Sequence, residues 1–259
     1  MVEIKAIPIL RDNYVWVLEQ QNSNKVVVLD PGEVQPVIAH LEARQQRIGA
    51  IVITHRHWDH TDGINGLVEY YQCPVYGPDT PAIPQVSHAL QAGELVSPIR
   101  GISLHVISIP GHTEIHFAYI LQQADEVSLF CGDTLFSAGC GRLLGGTAAQ
   151  LKTSLDTIAE LPVSTRIYCT HEYTLANLAF AAAVMPSNRD VPEYTAFVEQ
   201  RRARDEPSLP TTLELELKIN PFLRCGDKEV IASVEKHFST HLSNELEVFT
   251  RLRQYKDTH

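Results

Sequence analysis

The sequence predicts an α/β domain in which sheets are covered by helices, followed by a smaller all-α region. Two observations favour this fold class. In the first two thirds of the chain, short apolar runs typical of β-strands end in turns rich in His, Asp and Gly, with helical patterns between some of them. From about Tyr173 onward the strand pattern fades and helical spacing takes over. We therefore expect a layered domain over residues 1–171 and a helical domain over residues 172–259.

Each predicted element follows from composition and residue spacing. The strands are short apolar segments at residues 2–7, 14–19, 25–29, 50–53, 74–76, 102–109, 117–121, 127–130 and 166–169. Helical spacing is found at residues 35–47, 62–71, 147–161, 175–185, 193–204, 228–237 and 244–256. Residues 211–217 alternate like a strand but could equally begin a helix, and residues 205–211 form the clearest linker.

The composition is that of a globular protein with an acidic charge balance. The chain has 259 residues, of which 44% are hydrophobic and 20% charged, and its net charge is −10. This charge disfavours nonspecific binding to nucleic acid or to an anionic membrane, so neither is an expected partner. No apolar run is long enough to cross a bilayer. The absence of a heptad pattern or a continuous apolar helix face favours a monomer.

The first ten residues and the cysteines are those expected of a cytoplasmic protein. The N-terminal segment lacks a basic flank followed by a long apolar stretch, and it is not an Arg-rich transit segment. The five cysteines are odd in number and contain no Cys-x-x-Cys pair, so neither a disulfide framework nor a cysteine zinc ribbon is indicated. We expect buried, reduced thiols.

The strongest chemical signal is the segment Thr54-His-Arg-His-Trp-Asp-His60, which follows an apolar strand. A pattern HxHxDH arises by chance in roughly one chain in a thousand of this composition. His55 and His57 are two residues apart in an extended segment and therefore point to the same side. Asp59 and His60 lie on the following turn, close enough to serve the same metal or a neighbouring one. A solvated polar loop is the alternative interpretation, but imidazole and carboxylate groups together suit transition metals.

Three further residues lie where a predicted strand runs into a turn, namely His112 in Pro-Gly-His-Thr, Asp133 in Cys-Gly-Asp-Thr and His171 in Cys-Thr-His-Glu. Each alone is weak evidence, because an Asp in such a turn is more often a turn residue than a ligand. Together with the HxHxDH segment they make seven potential ligands at one sheet edge. Seven are too many for one tetrahedral zinc but suit two metals roughly 3.5 Å apart, bridged by a carboxylate and a hydroxide. His116 could orient a ligand or a turn.

At these residues the sequence resembles the metallo-β-lactamase superfamily, through THRHWDH, PGHT, CGDT and THEYT in the expected order. It is more similar still to the glyoxalase II family, the hydroxyacylglutathione hydrolases, because Asp133 continues as Asp-Thr-Leu-Phe-Ser-Ala-Gly-Cys-Gly-Arg142 and His171 as His-Glu-Tyr-Thr-Leu-Ala-Asn177. The resemblance covers practically the whole chain. It implies an αββα sandwich with metals at one edge, followed by a helical C-terminal domain that completes the substrate site.

Carried over by position, the resemblance implies two divalent metals per chain. His55, His57 and His112 would hold one metal. Asp59, His60 and His171 would hold the second, and Asp133 would bridge the two. The family uses zinc, and iron or manganese are also found. All three metals accept nitrogen and oxygen ligands.

The implied reaction is hydrolysis of S-D-lactoylglutathione to glutathione and D-lactate, the second step of methylglyoxal detoxification. The seven potential ligands motivate a mechanism in which two metals lower the pKa of a bridging water, the hydroxide attacks the thioester carbonyl, and a metal stabilises the oxyanion. Asp59 and Asp133 are the expected catalytic residues, Asp133 as the bridge and Asp59 as a ligand that also orients the hydroxide. A thiolate leaves readily, so little general-acid help is required.

Glutathione carries two carboxylates, which an acidic protein must meet with placed cations. Arg253 and Lys256 are three residues apart on the last helical segment and can share a face. The resemblance matches this pair to the family's glutathione-carboxylate contacts, and it matches Arg142 and Tyr173 to the other glutathione contacts. We expect a small-molecule glutathione thioester as the substrate of this site.

The sequence departs from the family directly after Arg142. Many members have an aromatic residue at one of the next two positions and Glu at the third, where this chain has Leu143, Leu144 and Gly145. Leu144 cannot donate a side-chain hydrogen bond to glutathione, which weakens one expected contact. The predicted metal ligands are untouched by this change.

Three other functions remain open at this point. Glutathione persulfide dioxygenases, which are mononuclear iron oxidoreductases, share a similar N-terminal motif but generally lack the helical domain that carries Arg253 and Lys256. A nuclease of the superfamily is disfavoured by the acidic charge and by the lack of a long basic insertion. A non-catalytic metal-binding module would have no need of seven ligands together with substrate contacts.

Overall fold

The computed structural model describes residues 1–259, and the chain divides into two compact units. The first unit consists of Met1–Ser108 and Ile115–Gly132, and the second of Ile109–Glu114 and Asp133–His259. The four predicted ligands of the HxHxDH segment belong to the first unit. The other three belong to the second, which takes in the turn around His112 as well as the C-terminal half of the chain.

The first sheet of the first unit has six strands, in the order β1 to β6. They are β1 Val2–Ile9, β2 Asn13–Gln20, β3 Lys25–Leu29, β4 Arg47–Val52, β5 Val75–Pro78 and β6 His88–Leu90. The first three strands are antiparallel, whereas β3 to β6 run parallel. Parallel neighbours need crossover connections, and helices α1 (Gln35–Glu42), α2 (Trp58–Thr61) and α3 (Ile64–Tyr71) lie in two of them.

The core of the first unit forms between this sheet and its helices. Val37 and Leu41 of α1 and Ile64 and Leu67 of α3 are fully buried and pack in one cluster with residues of β1 to β5. All residues of β2 from 13 to 18 are buried. A strand that is buried on both faces is covered on both sides, which agrees with the layered fold that the sequence predicts.

Four antiparallel strands complete the β-structure of the first unit, namely β7 Leu95–Ile99, β8 Ile102–Ser108, β9 Phe117–Gln123 and β10 Glu126–Gly132. Strand β8 alternates between buried and exposed residues over most of its length. Tyr119 of β9 is fully buried, and its hydroxyl donates to the carbonyl of Ile53 at 2.5 Å. The Phe117 N–H donates to the carbonyl of Thr54 at 2.9 Å. Strand β9 therefore holds the backbone immediately before the HxHxDH histidines.

The second unit is mostly helical. Its elements are β11 Leu135–Phe136, β12 Gly139–Cys140, α4 Ala148–Ala159, β13 Arg166–Cys169, α5 Thr174–Val184, α6 Asp190–Arg202, β14 Thr211–Thr212, α7 Leu213–Ile219, a 3-10 turn at Pro221–Leu223, α8 Lys228–Phe238 and α9 Glu245–Thr258. Thr147 begins α4 with a capping box, in which its hydroxyl accepts from the Gln150 N–H. None of the helices is both long and apolar enough to cross a membrane.

Predicted and observed elements differ at several boundaries, and two of these places show strand pairing overriding local spacing. Helix α1 was expected to reach residue 47 but ends at Glu42, because Gln45 has a positive φ of 56° and the Arg47 N–H bonds to Asn24 as β4 begins. The ambiguous residues 211–217 contain both structures. Thr211 and Thr212 pair with β13, and the Thr212 hydroxyl then caps α7 at the Leu215 N–H.

Candidate metal centre

The HxHxDH segment begins beside the end of a neighbouring strand. Strands β3 and β4 are parallel, so their carboxyl ends meet at one edge of the sheet. Asp30 follows β3, and both of its oxygens accept from Thr54, which follows β4. The Thr54 N–H donates to Oδ1 at 2.8 Å and the Thr54 hydroxyl donates to Oδ2 at 2.7 Å. Asp30 therefore holds the start of the histidine segment.

This pair of bonds also determines which nitrogen of His55 carries a proton. Because the Thr54 hydroxyl hydrogen is donated to Asp30, the Thr54 oxygen accepts from Nδ1 of His55, 3.0 Å away. Nε2 of His55 then keeps its lone pair. This atom lies 2.9 Å from Nδ1 of His57. Two ring nitrogens at that distance share either a proton or a cation.

His60, on α2, is held by the same carboxylate. Its Nδ1 donates to Oδ2 of Asp30 at 3.1 Å, which leaves the lone pair on Nε2. That Nε2 lies 3.5 Å from Oδ2 of Asp59, and the same Asp59 oxygen accepts from the side-chain amide of Asn13 at 3.0 Å. The ring centroids of His60 and His55 are 4.1 Å apart. The first unit thus brings its four predicted ligands together.

His116 packs against this cluster, as the sequence allowed. Its ring is fully buried and stacks on the ring of His55, with centroids 4.6 Å apart and an interplanar angle of 15°. Gly132 lies directly beside it with a φ of +49°. A Cβ at Gly132 would lie 2.6 Å from the Thr54 hydroxyl and 2.8 Å from the ring of His116. Only glycine adopts this positive φ without strain and also leaves the space that Thr54 and His116 occupy.

The other three predicted ligands converge in the second unit. Oδ2 of Asp133 lies 3.5 Å from Nε2 of His112 and 3.2 Å from Nε2 of His171. All three side chains are buried. Nδ1 of His112 donates to the carbonyl of Arg142 at 2.7 Å, so the lone pair of this ring is on the Nε2 that faces Asp133. The Asp133 carboxylate is therefore near two imidazoles at once.

Tyr173, a predicted substrate contact, lies on one of these imidazoles. Its ring is parallel to that of His171 within 5°, with centroids 4.6 Å apart, and it remains 37% exposed. Phe136 contacts both rings edge-on, at 5.7 Å from His171 and 5.3 Å from Tyr173. A partly exposed aromatic ring beside a buried imidazole can contact a bound molecule and the imidazole at once.

Arg253, a predicted carboxylate contact, is buried rather than displayed at the surface. Only 4% of the residue is exposed. One guanidinium nitrogen, Nη1, donates to the carbonyl of Cys140 at 2.8 Å, and Nη2 donates to Asp257 at 3.1 Å. The ring of Phe222 lies 5.1 Å below the guanidinium carbon. The guanidinium thus supports the end of β12 in addition to carrying charge.

The other two predicted cations, Arg142 and Lys256, lie near Arg253. The Arg142 side chain is exposed, with Nε 3.8 Å from the carboxylate of Asp257. Lys256 donates to the carbonyl of Ala176 at 3.2 Å. Burial lowers the pKa of Lys256, and the positive charges of Arg253 and Arg142 lower it further. Three positive charges with the single carboxylate of Asp257 among them form a region where an added anion is favourable.

The family departure after Arg142 has a conformational explanation. Gly145 has a φ of +129°, and a Cβ there would lie 2.7 Å from the carboxylate of Glu114. The Glu found in many family members would therefore be strained in this backbone. Leu144 donates its N–H to the carbonyl of His112 at 2.8 Å, while its side chain is 49% exposed. This segment supports the His112 turn through its backbone.

The donor atoms described above fit divalent transition metals. The residues supply imidazole nitrogens and carboxylate oxygens, a set suited to zinc, iron and manganese. His55, His60 and His112 each have Nδ1 bonded to an oxygen, which places the ring lone pair on Nε2. A histidine ligand usually donates its other nitrogen in this way, because the bond orients the ring and raises its basicity. Burial of the clusters excludes solvent from the same atoms.

Sequence reasoning missed the residues that orient the predicted metal ligands. Asp30 and Thr54 bond the histidine rings, and Asn13 bonds Asp59. A signal for Asp30 was present, because it lies where an apolar strand runs into a turn, as His112 does. Asn13 gave no such signal, since its partner is 46 residues away.

Comparison with known proteins assigns both parts of the chain. The family profile described as "Metallo-beta-lactamase superfamily" matches residues 9–171, and the profile described as "Hydroxyacylglutathione hydrolase C-terminus" matches residues 172–259. A protein of Shewanella baltica named hydroxyacylglutathione hydrolase is 47% identical, with 99% of each chain covered. One of Idiomarina loihiensis with the same name is 42% identical, again with 99% of each covered.

Solved structures agree on the fold. The crystal structure of ETHE1 from Myxococcus xanthus covers 99% of each chain with a TM-score of 0.66 at 20% identity, a likeness that concerns the fold alone. The expected fold class, an αββα metallo-β-lactamase sandwich followed by a smaller all-α domain, is confirmed. Since two family profiles together account for nearly the whole chain and full-length relatives are up to 47% identical, the chain belongs to the hydroxyacylglutathione hydrolase family of the metallo-beta-lactamase superfamily.

Proposed function

We propose that the chain hydrolyses S-D-lactoylglutathione to glutathione and D-lactate, as a glyoxalase II. The observation that carries this proposal is the match of residues 172–259 to a hydroxyacylglutathione hydrolase profile, behind a domain that has a full set of metal-ligand side chains. Full-length relatives bear the hydroxyacylglutathione hydrolase name. The persulfide dioxygenase alternative is disfavoured, because the matched C-terminal profile is that of the hydrolases.

We further propose two divalent metals per chain, with zinc as the expected metal. His55, His57 and His112 would hold one, Asp59, His60 and His171 would hold the other, and Asp133 would serve both. The Nε2 lone pairs of His55, His60 and His112 support this assignment, as does the distance of Asp133 from two imidazoles. When bound, such metals lower the pKa of water and stabilise negative charge on an oxygen.

The chain itself contributes orientation. Asn13 holds the Asp59 carboxylate, which we propose orients the attacking water as well as binding metal. Asp30 and Thr54 keep His55 and His60 in the tautomers that ligation needs. The leaving group is a thiolate, whose conjugate acid has a pKa far below that of an alcohol or amine. No side chain is therefore required to donate a proton as it leaves.

Substrate recognition is assigned to four residues of the second unit. Tyr173 contacts glutathione beside His171, and Arg142, Arg253 and Lys256 supply positive charge for the two glutathione carboxylates. Burial lowers the pKa of Lys256 and the charges of Arg253 and Arg142 lower it further; this excess of positive charge supports an anion site, because a bound carboxylate offsets it. Leu144 contributes no side-chain hydrogen bond.

We also propose the boundary between domains at residues 171 and 172, where the two profiles meet. A monomer in the cytoplasm remains our expectation. The five cysteines are free and buried, which is typical of a reducing compartment.

The decisive experiment measures the loss of thioester absorbance when purified, zinc-loaded protein is mixed with S-D-lactoylglutathione. The same measurement with a thioester that lacks glutathione is the comparison. Fast turnover confined to the glutathione ester would support the proposal. Equal rates on both would remove the glutathione contacts, and no turnover together with oxygen uptake on glutathione persulfide would favour the dioxygenase.

Asp30→Asn is expected to lower zinc affinity or kcat/KM by about 10- to 100-fold. Oδ2 of Asp30 accepts from both the Thr54 hydroxyl and Nδ1 of His60. An amide nitrogen at this position is itself a donor and cannot accept either bond. His60 would then favour the tautomer that protonates Nε2. Zinc competition with a chelator and steady-state kinetics measure the effect. Asp62→Asn, at an exposed position just after α2, is the matched control.

Arg253→Ala is expected to raise KM for the glutathione thioester by about 10- to 100-fold, from the loss of a charge-assisted bond, with a much smaller fall in kcat. Because the buried guanidinium also supports Cys140, Tm should be recorded for each variant. Arg251→Ala removes an exposed arginine from the same helix and should leave KM unchanged. An unchanged KM in folded Arg253→Ala would remove this residue from the site.

A further inference from the structure

Glu216 is a fully buried carboxylate that the proposed mechanism does not use. It lies on α7, and burial raises its pKa. Its nearest polar partners are neutral donors rather than a cation. Oε1 accepts from the hydroxyls of Ser137, at 3.0 Å, and Thr211, at 2.8 Å. Oε2 accepts from the Ala138 N–H at 2.8 Å and from the Asn220 amide at 3.0 Å.

The same network bonds the backbone of the β11–β12 hairpin. Besides its bond to Glu216, the Asn220 side-chain amide donates to the carbonyls of Phe136, at 3.2 Å, and Gly139, at 2.9 Å. Asn177 of α5 donates to the carbonyl of Ser137 at 3.0 Å. Residues 136–139 of the hairpin are therefore all bonded by buried side chains 40 or more positions away in sequence, from α5, from α7 and from Asn220 directly after α7.

The hairpin connects the proposed metal bridge to a proposed substrate contact. Asp133 lies just before β11 and Arg142 lies just after β12. The hairpin also carries Phe136, which packs on His171, and the Cys140 carbonyl, which accepts from Arg253. A displaced hairpin would move the Asp133 carboxylate and the Arg142 carbonyl that holds His112.

We propose that Glu216 is the positioning residue of this hairpin, acting through its four hydrogen bonds to place Asp133 for metal binding and Arg142 for the substrate. This inference rests on the proposed function for its catalytic consequence. Its consequence for metal affinity can be measured without turnover. Residues outside a metal's direct ligands commonly affect metal affinity or activity by about 10- to 100-fold.

The test compares three substitutions on α7. Glu216→Leu removes all four acceptor bonds, and we expect zinc affinity and kcat/KM to fall by about 10- to 100-fold. Glu216→Gln can keep the network, because its amide oxygen can accept from Ala138 and Asn220 while Ser137 and Thr211 turn their hydroxyls to accept. We expect it to stay within about twofold of wild type in both quantities. Glu214→Gln, at an exposed position on the same helix, is the control.

Zinc affinity by chelator competition and zinc stoichiometry by elemental analysis are read beside KM and kcat. Folded Glu216→Leu with wild-type zinc affinity and kcat/KM would overturn the proposal, and so would Glu216→Gln losing as much as Glu216→Leu. If Glu216→Leu does not fold, Ser137→Ala combined with Thr211→Val removes the donors to Oε1 alone. Unchanged zinc affinity in that folded variant would likewise overturn it.

The two proposals fail in distinguishable ways. Loss of zinc affinity in Glu216→Leu, with a wild type that hydrolyses no glutathione thioester, would retain the positioning role and reject the proposed reaction. Rapid thioester hydrolysis by wild type and by Glu216→Leu alike would reject the positioning role and retain the reaction.

Discussion

Asp133→Ala is expected to lower kcat/KM by about a thousandfold, since the loss of several kcal/mol of transition-state stabilisation has that effect. The physical reason is the position of its carboxylate, 3.5 Å from Nε2 of His112 and 3.2 Å from Nε2 of His171. A single oxygen near both rings can serve two metals, so its removal should lower zinc content as well as activity. Steady-state kinetics and elemental analysis of the same preparation measure both.

Asp156→Ala, which removes an exposed carboxylate from α4, is the control for this substitution. It should retain both zinc and activity, because Asp156 bonds only Lys152 at the surface. Full activity and full metal content in folded Asp133→Ala would show that the bridging assignment is wrong. Loss of activity with full metal content would assign Asp133 to the reaction but not to metal binding.

Removing the metals with a chelator is expected to reduce thioester hydrolysis to the background rate. Bound metals lower the pKa of water, and we propose that the side chains of this chain orient the metals and the substrate without activating water themselves. Zinc added back should restore activity in proportion to occupancy, up to two ions per chain. Parallel reconstitution with iron and with manganese compares the three metals that this donor set accepts.

The number of metal ions bound per chain distinguishes a dinuclear site, a mononuclear site and a reaction without metal. Full activity at one ion per chain would contradict the dinuclear assignment. Full activity in protein shown by elemental analysis to be free of metal would contradict the metal mechanism altogether. Circular dichroism of the metal-free protein checks that activity was not lost through unfolding.

The sequence was most informative where the chemistry is local. Four of the predicted ligands lie within the six residues from His55 to His60, so their spacing alone indicated a metal site. His112, Asp133 and His171 were identified by a local rule, a polar residue in the turn after a strand. The fold class and family predicted from these motifs are confirmed by the comparisons. The roles of the seven ligands stay predictions until the metal analyses are made.

Element boundaries were less predictable because pairing determined them. Helix α1 ends five residues earlier than its spacing suggested, since the chain must turn and enter β4 beside β3. Residues 211–217 could be read as strand or helix, and the structure uses two of them to pair with β13 before α7 begins. Local periodicity carries no information about which strand will pair with a given segment.

By itself the sequence determined the fold class, the family and the chemical type of the site. Only the tertiary structure decided how the side chains of that site are held. Asp30 reaches residues 24 and 30 positions away because β3 and β4 end at the same edge of the sheet. Arg253 proved buried, and Glu216 bonds a hairpin 78 residues before it. These bonds depend on strand register and helix packing, which bring together residues that no local pattern connects.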